Sequence, residues 1–295
     1  MSAKDKNVVI IPDIHLDRKF NVTFGDPTIW ERKGLELVKN IISESNPDKI
    51  LFLGDVFNTS HPSFHSIFEF LEVVKGYDVT VISGNHDIPK TQKKSVMDYL
   101  SKYVNVISRN EVTEVWDNNF AIGWCDTQSL FAAKVTATLE HMKGKYLFLH
   151  AAYNNWDNEM DNVITNDMIK LAKKKDVIMI SGHEHVSNIR DNMYHLGSVM
   201  PLNIGELGIK YYFSTIDELV PIDHKVGDNL EDDVILVREM IDPQGDKPIV
   251  IKKGKVKSSD IVMEEKQLEI DIIDDFIKEA VDAGFEEEFV KEYTE

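Results

Sequence analysis

Cysteine is nearly absent: Cys125 is the only one in 295 residues. It can form no intrachain disulfide and lacks the partners of a thiolate zinc site, so a buried structural thiol is the expected role. No apolar run approaches the roughly 18 residues needed to span a bilayer, and none follows Met1 in the manner of a signal peptide. A soluble cytoplasmic protein with no membrane partner is expected. Basic residues are also scarce, since 33 Lys and Arg face 51 Asp and Glu for a net charge of −18. Nonspecific affinity for nucleic acid comes mainly from cations at phosphates, so this composition argues against a free-standing DNA binder. The deficit is uneven. Residues 264–295 carry thirteen acids against three lysines, which leaves the preceding body only mildly acidic. Bound divalent cations would add positive charge locally.

Short β-rich runs alternate with helix-periodic segments as far as about residue 215. Residues 8–12, 49–53, 79–83, 120–124, 146–149 and 177–181 read as buried strands. Residues 29–45, 63–76, 93–103, 128–143 and 165–175 carry apolar side chains at helical spacing. That alternation predicts an α/β core. Further strands near 193–196 and 210–216 point to a second sheet completed late in the chain. From about Asp217 the texture changes. Asp242-Pro-Gln-Gly, Lys247-Pro and Lys253-Gly punctuate short β segments, as in a small appended β-rich region over 217–263. An acidic tail over 264–295 closes the sequence, with Ile270, Ile273, Ile277 and Val281 on one side of an amphipathic helix and Gly284 placed to cap it.

Chemistry-bearing residues cluster at the strand ends. Val8-Val-Ile-Ile-Pro runs into Asp13-Ile-His15, Ile50-Leu-Phe-Leu into Gly54-Asp55, and Val79-Thr-Val-Ile-Ser into Gly84-Asn85-His86-Asp87. Tyr146-Leu-Phe-Leu runs into His150, and Val177-Ile-Met-Ile-Ser into Gly182-His183-Glu-His185. Ligands of α/β sheets bind beyond the carboxyl ends of the strands, so these groups are expected to converge on one edge. One Asp-x-His or Gly-Asp is ordinarily a turn; five such elements, each after a strand, are not. Asp, Asn and His offer oxygen and imidazole donors without thiolate, a set suited to Mn²⁺, Fe or Zn²⁺. Two ions about 3.5 to 4 Å apart can activate water and clamp the oxygens of an in-line phosphoryl displacement. Such a pair needs one carboxylate between the metals, and Asp55 is the candidate bridge. Of the remaining histidines, His141 and His224 read as surface residues and His195 as structural, while His61 and His65 lie close in sequence to the Asp55 loop.

Asp-x-His, Gly-Asp, Gly-Asn-His-Asp, His and Gly-His-x-His, in this order, resemble the calcineurin-like metallophosphoesterase superfamily over roughly residues 7–216. The resemblance implies a two-sheet sandwich flanked by helices, with a catalytic domain over 1–216. It implies two divalent ions, one held by Asp13, His15, Asp55 and His185 and the other by Asp55, Asn85, His150 and His183. His86 would then lie outside the metal shell as a donor to the scissile phosphate or the leaving oxygen, with Asp87 orienting its ring.

Two stretches between the ligands refine the resemblance. Gly54-Asp-Val-Phe-Asn-Thr-Ser-His-Pro-Ser63 and Leu196-Gly-Ser-Val-Met-Pro-Leu-Asn-Ile-Gly-Glu206 are similar to segments of SbcD-type DNA repair nuclease subunits. Those proteins are implied to be Mn²⁺-dependent exonucleases and single-strand endonucleases that work with a coiled-coil ATPase, the SbcC-like partner, and carry a small β-rich capping domain. In this reading the C-terminal helix docks on the ATPase, DNA is the substrate, and a homodimer stays open. A compact form of this kind also resembles phage-encoded recombination nucleases. Two positions depart from the pattern: Asn58 stands where many members have His, and Asp17 replaces a small residue. Three classes remain open: a DNA nuclease subunit, a phosphodiesterase or phosphatase of nucleotides or other small phosphoesters, and a metal-bound, non-catalytic scaffold. A Ser/Thr protein phosphatase fits poorly, since Gly-Asn-His-Glu and an Arg after Gly-Asp are both missing.

Overall fold

The computed structural model describes residues 6–18, 29–89, 94–153, 162–202, 206 and 209–222. The chain divides into two units, Met1–Pro248 and Ile249–Glu295, and every described residue belongs to the first. The appended β-rich region expected over 217–263, apart from residues 217–222, and the amphipathic tail expected over 264–295 lie outside the described residues.

In chain order the first elements are β1 (Val8–Ile11), α1 (Ile29–Ser45), β2 (Lys49–Phe52), α2 (Phe64–Val74), β3 (Asp78–Ile82), α3 (Val96–Leu100) and β4 (Asn105–Ile107). There follow β5 (Val112–Trp116), β6 (Asn119–Ile122), α4 (Gln128–His141), β7 (Tyr146–His150), β8 (Ala152–Tyr153), β9 (Val163–Ile164) and α5 (Asn166–Lys174). The last are β10 (Ile178–Gly182), β11 (Asn188–Arg190), β12 (Met193–His195), β13 (Tyr211–Ser214) and β14 (Glu218–Pro221). Two six-stranded sheets result, in the orders β14-β13-β1-β2-β3-β4 and β11-β12-β10-β7-β6-β5. β1, β2, β3 and β4 are mutually parallel, as are β6, β7, β10 and β12. The expected two-sheet sandwich is thus the observed fold.

The sheets face each other because their strands are apolar on both sides, as buried parallel strands are. Successive residues point to opposite faces. Val8 and Ile10 join Leu51, Leu53, Ile82, Phe148, Ile180 and Phe213 in one core cluster that draws on both sheets. On β7 the alternate residues Leu147 and Leu149 turn the other way, onto Phe131, Val135 and Leu139 of α4 and Met168 and Ala172 of α5. The first sheet is covered by α1 and α2, with Phe70 of α2 edge-on to Phe52 at a centroid distance of 5.2 Å. Each such fully buried side chain contributes roughly 1.5 to 3 kcal/mol. Truncating Phe148 to Ala, at the centre of the sandwich, would cost about 3 to 5 kcal/mol.

Local signals set the helix ends. Ser63, Thr127 and Thr165 cap α2, α4 and α5 with their hydroxyls. α1 stops at Asn46, whose left-handed φ of 42° and N–H bond to Ile42 O precede Pro47. The helix expected over 93–103 is shorter among the described residues: a capping box of Ser95 and Asp98 starts α3 at Val96, and the chain turns after Leu100. The first sheet also runs past the boundary expected at residue 216. β14 pairs antiparallel with β13 from Ser214–Glu218 to Tyr211–Pro221. A turn over 215–217 lies between two strands of one hairpin. No helix of the described residues is long and apolar enough to cross a membrane.

Candidate metal centre

The carboxyl ends of β1, β2, β3, β7 and β10 meet at one edge, and the sequence-predicted groups meet there with them. Asp13, His15, Asp55 and His150 are all buried. Three backbone sites bring them close. A Cβ on Gly54 would stand 2.4 Å from His150 Nδ1, one on Gly84 2.2 Å from Asp55 Oδ1, and one on Gly182 2.2 Å from Asp13 Oδ1. Only glycine leaves room for the ligand atoms there. His15, Asp55 and His183 adopt left-handed φ values of 54°, 46° and 79°, a conformation that Asp and His tolerate better than most residues.

Asp55 stands at the centre. Its Oδ2 lies 3.7 Å from His15 Nε2 and 3.4 Å from His150 Nε2, while its Oδ1 accepts from the His86 N–H at 2.9 Å. On one side of it, His15 Nε2 and His185 Nε2 face each other at 2.9 Å, and Asp13 Oδ2 lies 3.8 Å from His185 Nε2. On the other, Asn85 Oδ1 is 3.0 Å from both His150 Nε2 and His183 Nδ1. Asp13–His15–His185 and Asp55–His150–His183 are thereby brought close enough to hold a metal ion each, and His15–Asp55–His86 form a third such group between them.

The donors are oriented from behind. His150 Nδ1 donates to Leu53 O at 2.8 Å, which turns Nε2 inward. Asp13 Oδ2 accepts from His183 N at 2.8 Å, whereas its Oδ1 is buried with no hydrogen-bond partner among the described residues. An orphaned carboxylate oxygen beside imidazole nitrogens is a donor set that fits a divalent cation. Trp124 packs on the far group, its ring centroid 5.5 Å from that of His183 and 5.9 Å from that of His150.

The protonation pattern follows from burial and from Asp55. Burial pushes the Asp13 carboxyl up to about 6, with the neighbouring Asp55 charge adding to the effect. Burial opposes charge on His150, but the Asp55 and Asp13 carboxylates prevail and raise it to about 9. Burial alone would raise Asp55, yet attraction to His150 and a hydrogen bond from it hold that carboxyl well below the usual range. Burial pushes His15 and His183 down to about 3.

His86 is exposed at the mouth, its ring 5.0 Å from that of His15. Its Nδ1 lies 2.8 Å from the carbonyl oxygen of Asn58. The expectation that Asp87 orients this ring is corrected: Asp87 is buried, and its two oxygens accept from Phe57 N at 3.2 Å and Gly84 N at 2.9 Å. It ties the β3 loop to the β2 loop, and the Asn58 carbonyl holds the ring instead. Asp17, the departure from the family pattern, accepts from Ser63 N at the start of α2 and so joins the Asp-x-His loop to the Asp55 loop. His195 is buried and its Nε2 donates to Ala151 O at 2.9 Å, a structural role. His61, His65 and His141 are exposed, and His224 lies outside the described residues. Two residues given no role by their sequence setting reach the centre: Glu206, 3.1 Å from His185 Nδ1, and Lys210, whose ammonium donates to the His185 carbonyl.

The chain belongs to the calcineurin-like phosphoesterase family, whose profile matches residues 6–215. A DNA double-strand break repair protein Mre11 from Methanococcus maripaludis is 27% identical over 165 residues, 50% of this chain and 44% of that protein. The chain therefore matches less than half the length of that relative. Among solved structures, a dimetal phosphatase from Danio rerio is similar at 11% identity, with a TM-score of 0.45, over 74% of this chain and 99% of that one. A phosphopantetheinyl hydrolase from Mycobacterium tuberculosis is similar at 14% identity, with a TM-score of 0.40, over 65% of this chain and 90% of that one.

Proposed function

We propose that this chain is a two-metal phosphoesterase that hydrolyses phosphodiester bonds of DNA in the cytoplasm, as the nuclease subunit of an SbcCD-like recombination and repair complex. The observation that carries the phosphoesterase reading is the place of Asp55, whose Oδ2 lies between His15 Nε2 at 3.7 Å and His150 Nε2 at 3.4 Å. One ion would be held by Asp13, His15, Asp55 and His185 and a second by Asp55, Asn85, His150 and His183, with Mn²⁺ favoured. When bound, the ions supply Lewis-acid activation of water and of the phosphoryl oxygens.

The chain's own residues do the rest. The Asn58 carbonyl can only accept, so His86 Nδ1 carries a proton and Nε2 is the nitrogen left for substrate. From the mouth of the site His86 contacts the scissile phosphate and, as the imidazolium, donates a proton to the leaving oxygen. Asp13, Asp55 and His150 are each held by a backbone group, the N–H of His183, the N–H of His86 and the carbonyl of Leu53, which keeps their geometry from relaxing as charge moves.

Two things support DNA as the substrate: the SbcD-like stretches at 54–63 and 196–206, and the similarity to a DNA double-strand break repair protein over half of the chain. A coiled-coil ATPase docked on residues 264–295 would supply the basic surface this acidic chain lacks. The net charge of −18 favours a second reading, hydrolysis of nucleotides or other small phosphoesters. The test gives purified protein with Mn²⁺ single- and double-stranded DNA beside bis-p-nitrophenyl phosphate. DNA cleavage supports the first reading, diester turnover without DNA cleavage the second, and neither activity overturns both. Deleting 268–295 is expected to leave diester turnover unchanged and to abolish association with the ATPase.

A further inference from the structure

His185 is held at both ends by one short stretch of chain. Its ring Nδ1 lies 3.1 Å from Glu206 Oε1, and its backbone carbonyl accepts a hydrogen bond from Lys210 Nζ. The second Glu206 oxygen accepts from Leu202 N at 2.7 Å, so the carboxylate is itself aimed. Lys210 is 1% exposed. A buried ammonium is costly unless paired, and the groups facing this one are the His185 carbonyl, Glu206 and Asp13. Gly197 makes the room, since a Cβ there would stand 3.0 Å from Lys210 Cδ and 3.2 Å from His185 O.

The geometry points to Glu206 and Lys210 as a positioning pair that fixes the tautomer and ring orientation of His185 and thereby sets metal affinity in the Asp13–His15–His185 half of the centre. Glu206, as acceptor, keeps the proton on Nδ1 and turns the Nε2 lone pair toward His15 and Asp13. Lys210 fixes the main chain that carries the ring. In the other half, His150 Nδ1 donates to a neutral acceptor, Leu53 O. A carboxylate behind a ligating imidazole raises its basicity, and removing such a partner costs about 10- to 100-fold in metal affinity. The two halves therefore respond differently to loss of Glu206. This inference rests on the metal-centre reading and is independent of the substrate.

The test is Mn²⁺ titration of the full chain by calorimetry and by electron paramagnetic resonance, in wild type, Glu206→Ala, Glu206→Gln and Lys210→Met. Wild type is expected to take two ions. Glu206→Ala weakens one of them about 10- to 100-fold and leaves the other unchanged, while Glu206→Gln, which keeps an acceptor without the charge, loses less. Histidine ¹⁵N shifts of the metal-free chain give the second readout: His185 is the Nδ1–H tautomer in wild type and a mixture in Glu206→Ala. Glu206 is partly exposed, so Glu206→Ala remains informative even if Lys210→Met fails to fold. Two ions at wild-type affinity in Glu206→Ala, or both sites weakened together with a lowered metal-free Tm, overturn the positioning role alone. A wild-type chain that binds no metal overturns the reading of the centre and this inference with it.

Discussion

The Nδ1 of His86 lies 2.8 Å from the carbonyl oxygen of Asn58, across 28 residues of sequence. A backbone group therefore aims the one exposed histidine of the site, and no neighbouring carboxylate is needed. His86→Ala is expected to keep both metals while turnover falls about 10²- to 10⁴-fold, the usual contribution of a positioned acid. The loss should shrink for p-nitrophenyl esters, whose leaving group needs little protonation. Metal analysis decides the alternative, because the His15–Asp55–His86 grouping would make His86 a ligand and its removal would then release an ion.

Asp55 offers a sharper test. An Asn at this position retains the oxygen that accepts from His86 N and loses the charge that faces His15 and His150. Asp55→Asn should fold, since both core clusters are untouched, and should lose more than the ~100-fold that removal of a mere supporting group costs. His183→Ala should do the same. Turnover within tenfold of wild type at saturating metal would remove Asp55 from the bridge.

Much of this arrangement was legible in the sequence because each motif is local. The ends of five strands announce themselves as an apolar run followed by Asp, Gly-Asp, Gly-Asn-His-Asp, His or Gly-His-x-His, and α1 has the bounds its periodicity predicts, 29–45. What stayed hidden is held by contacts that leave no pattern. The Leu53 carbonyl behind His150 is 97 residues away in sequence, and Glu206, which ends the SbcD-like stretch, shows its contact with His185, 21 residues earlier, only in the fold. Asp87 misled by adjacency: it follows His86, but the tight turn sends the two side chains to different neighbours. β14 was missed because the change of texture from Asp217 set the expected boundary there, and only its pairing with β13 shows that the sheet continues.

Glycine tests separate the centre from the scaffold. A methyl on Gly182 would meet Asp13 Oδ1 at 2.2 Å and Leu53 Cβ at 3.2 Å, whereas one on Gly76 would meet nothing within 4 Å. Gly182→Ala is expected to cost about 1 to 3 kcal/mol by overpacking and to weaken metal binding as Asp13 is displaced. Gly76→Ala, strained only by its φ of +87°, should cost about 1 to 2 kcal/mol and leave metal binding and turnover alone. Thermal melts with and without Mn²⁺ read both effects. Equal metal responses in the two variants would show that Gly182 does not shape the centre.

Metal binding should release protons, in an order fixed by the charges around each ligand. In the metal-free chain His150 is raised to about 9 because Asp55 and Asp13 outweigh its burial. Its Nδ1 is committed to Leu53 O, so the proton that a cation must displace sits on Nε2. At pH 7.5 the ring is protonated before binding and neutral after, which gives about one proton per centre from this group. His15 and His183, pushed down to about 3, are already neutral and release none. His185 is also raised, burial being outweighed by its hydrogen bond to Glu206, and it adds to the release as the pH falls into its range. Asp13, raised to about 6, contributes only below that pH. Apparent affinity for Mn²⁺ should therefore climb about tenfold per pH unit from 7.5 toward 9 and level off above it. In the metal-free fold the sign is opposite: a raised His stabilises below pH 6.5, and that contribution is lost as the pH rises through 9. Calorimetry of Mn²⁺ binding in two buffers of different ionisation enthalpy measures the release directly. A value near zero at pH 7.5 would mean that Asp55 does not hold a proton on His150, and that the charge at the heart of the centre is arranged differently.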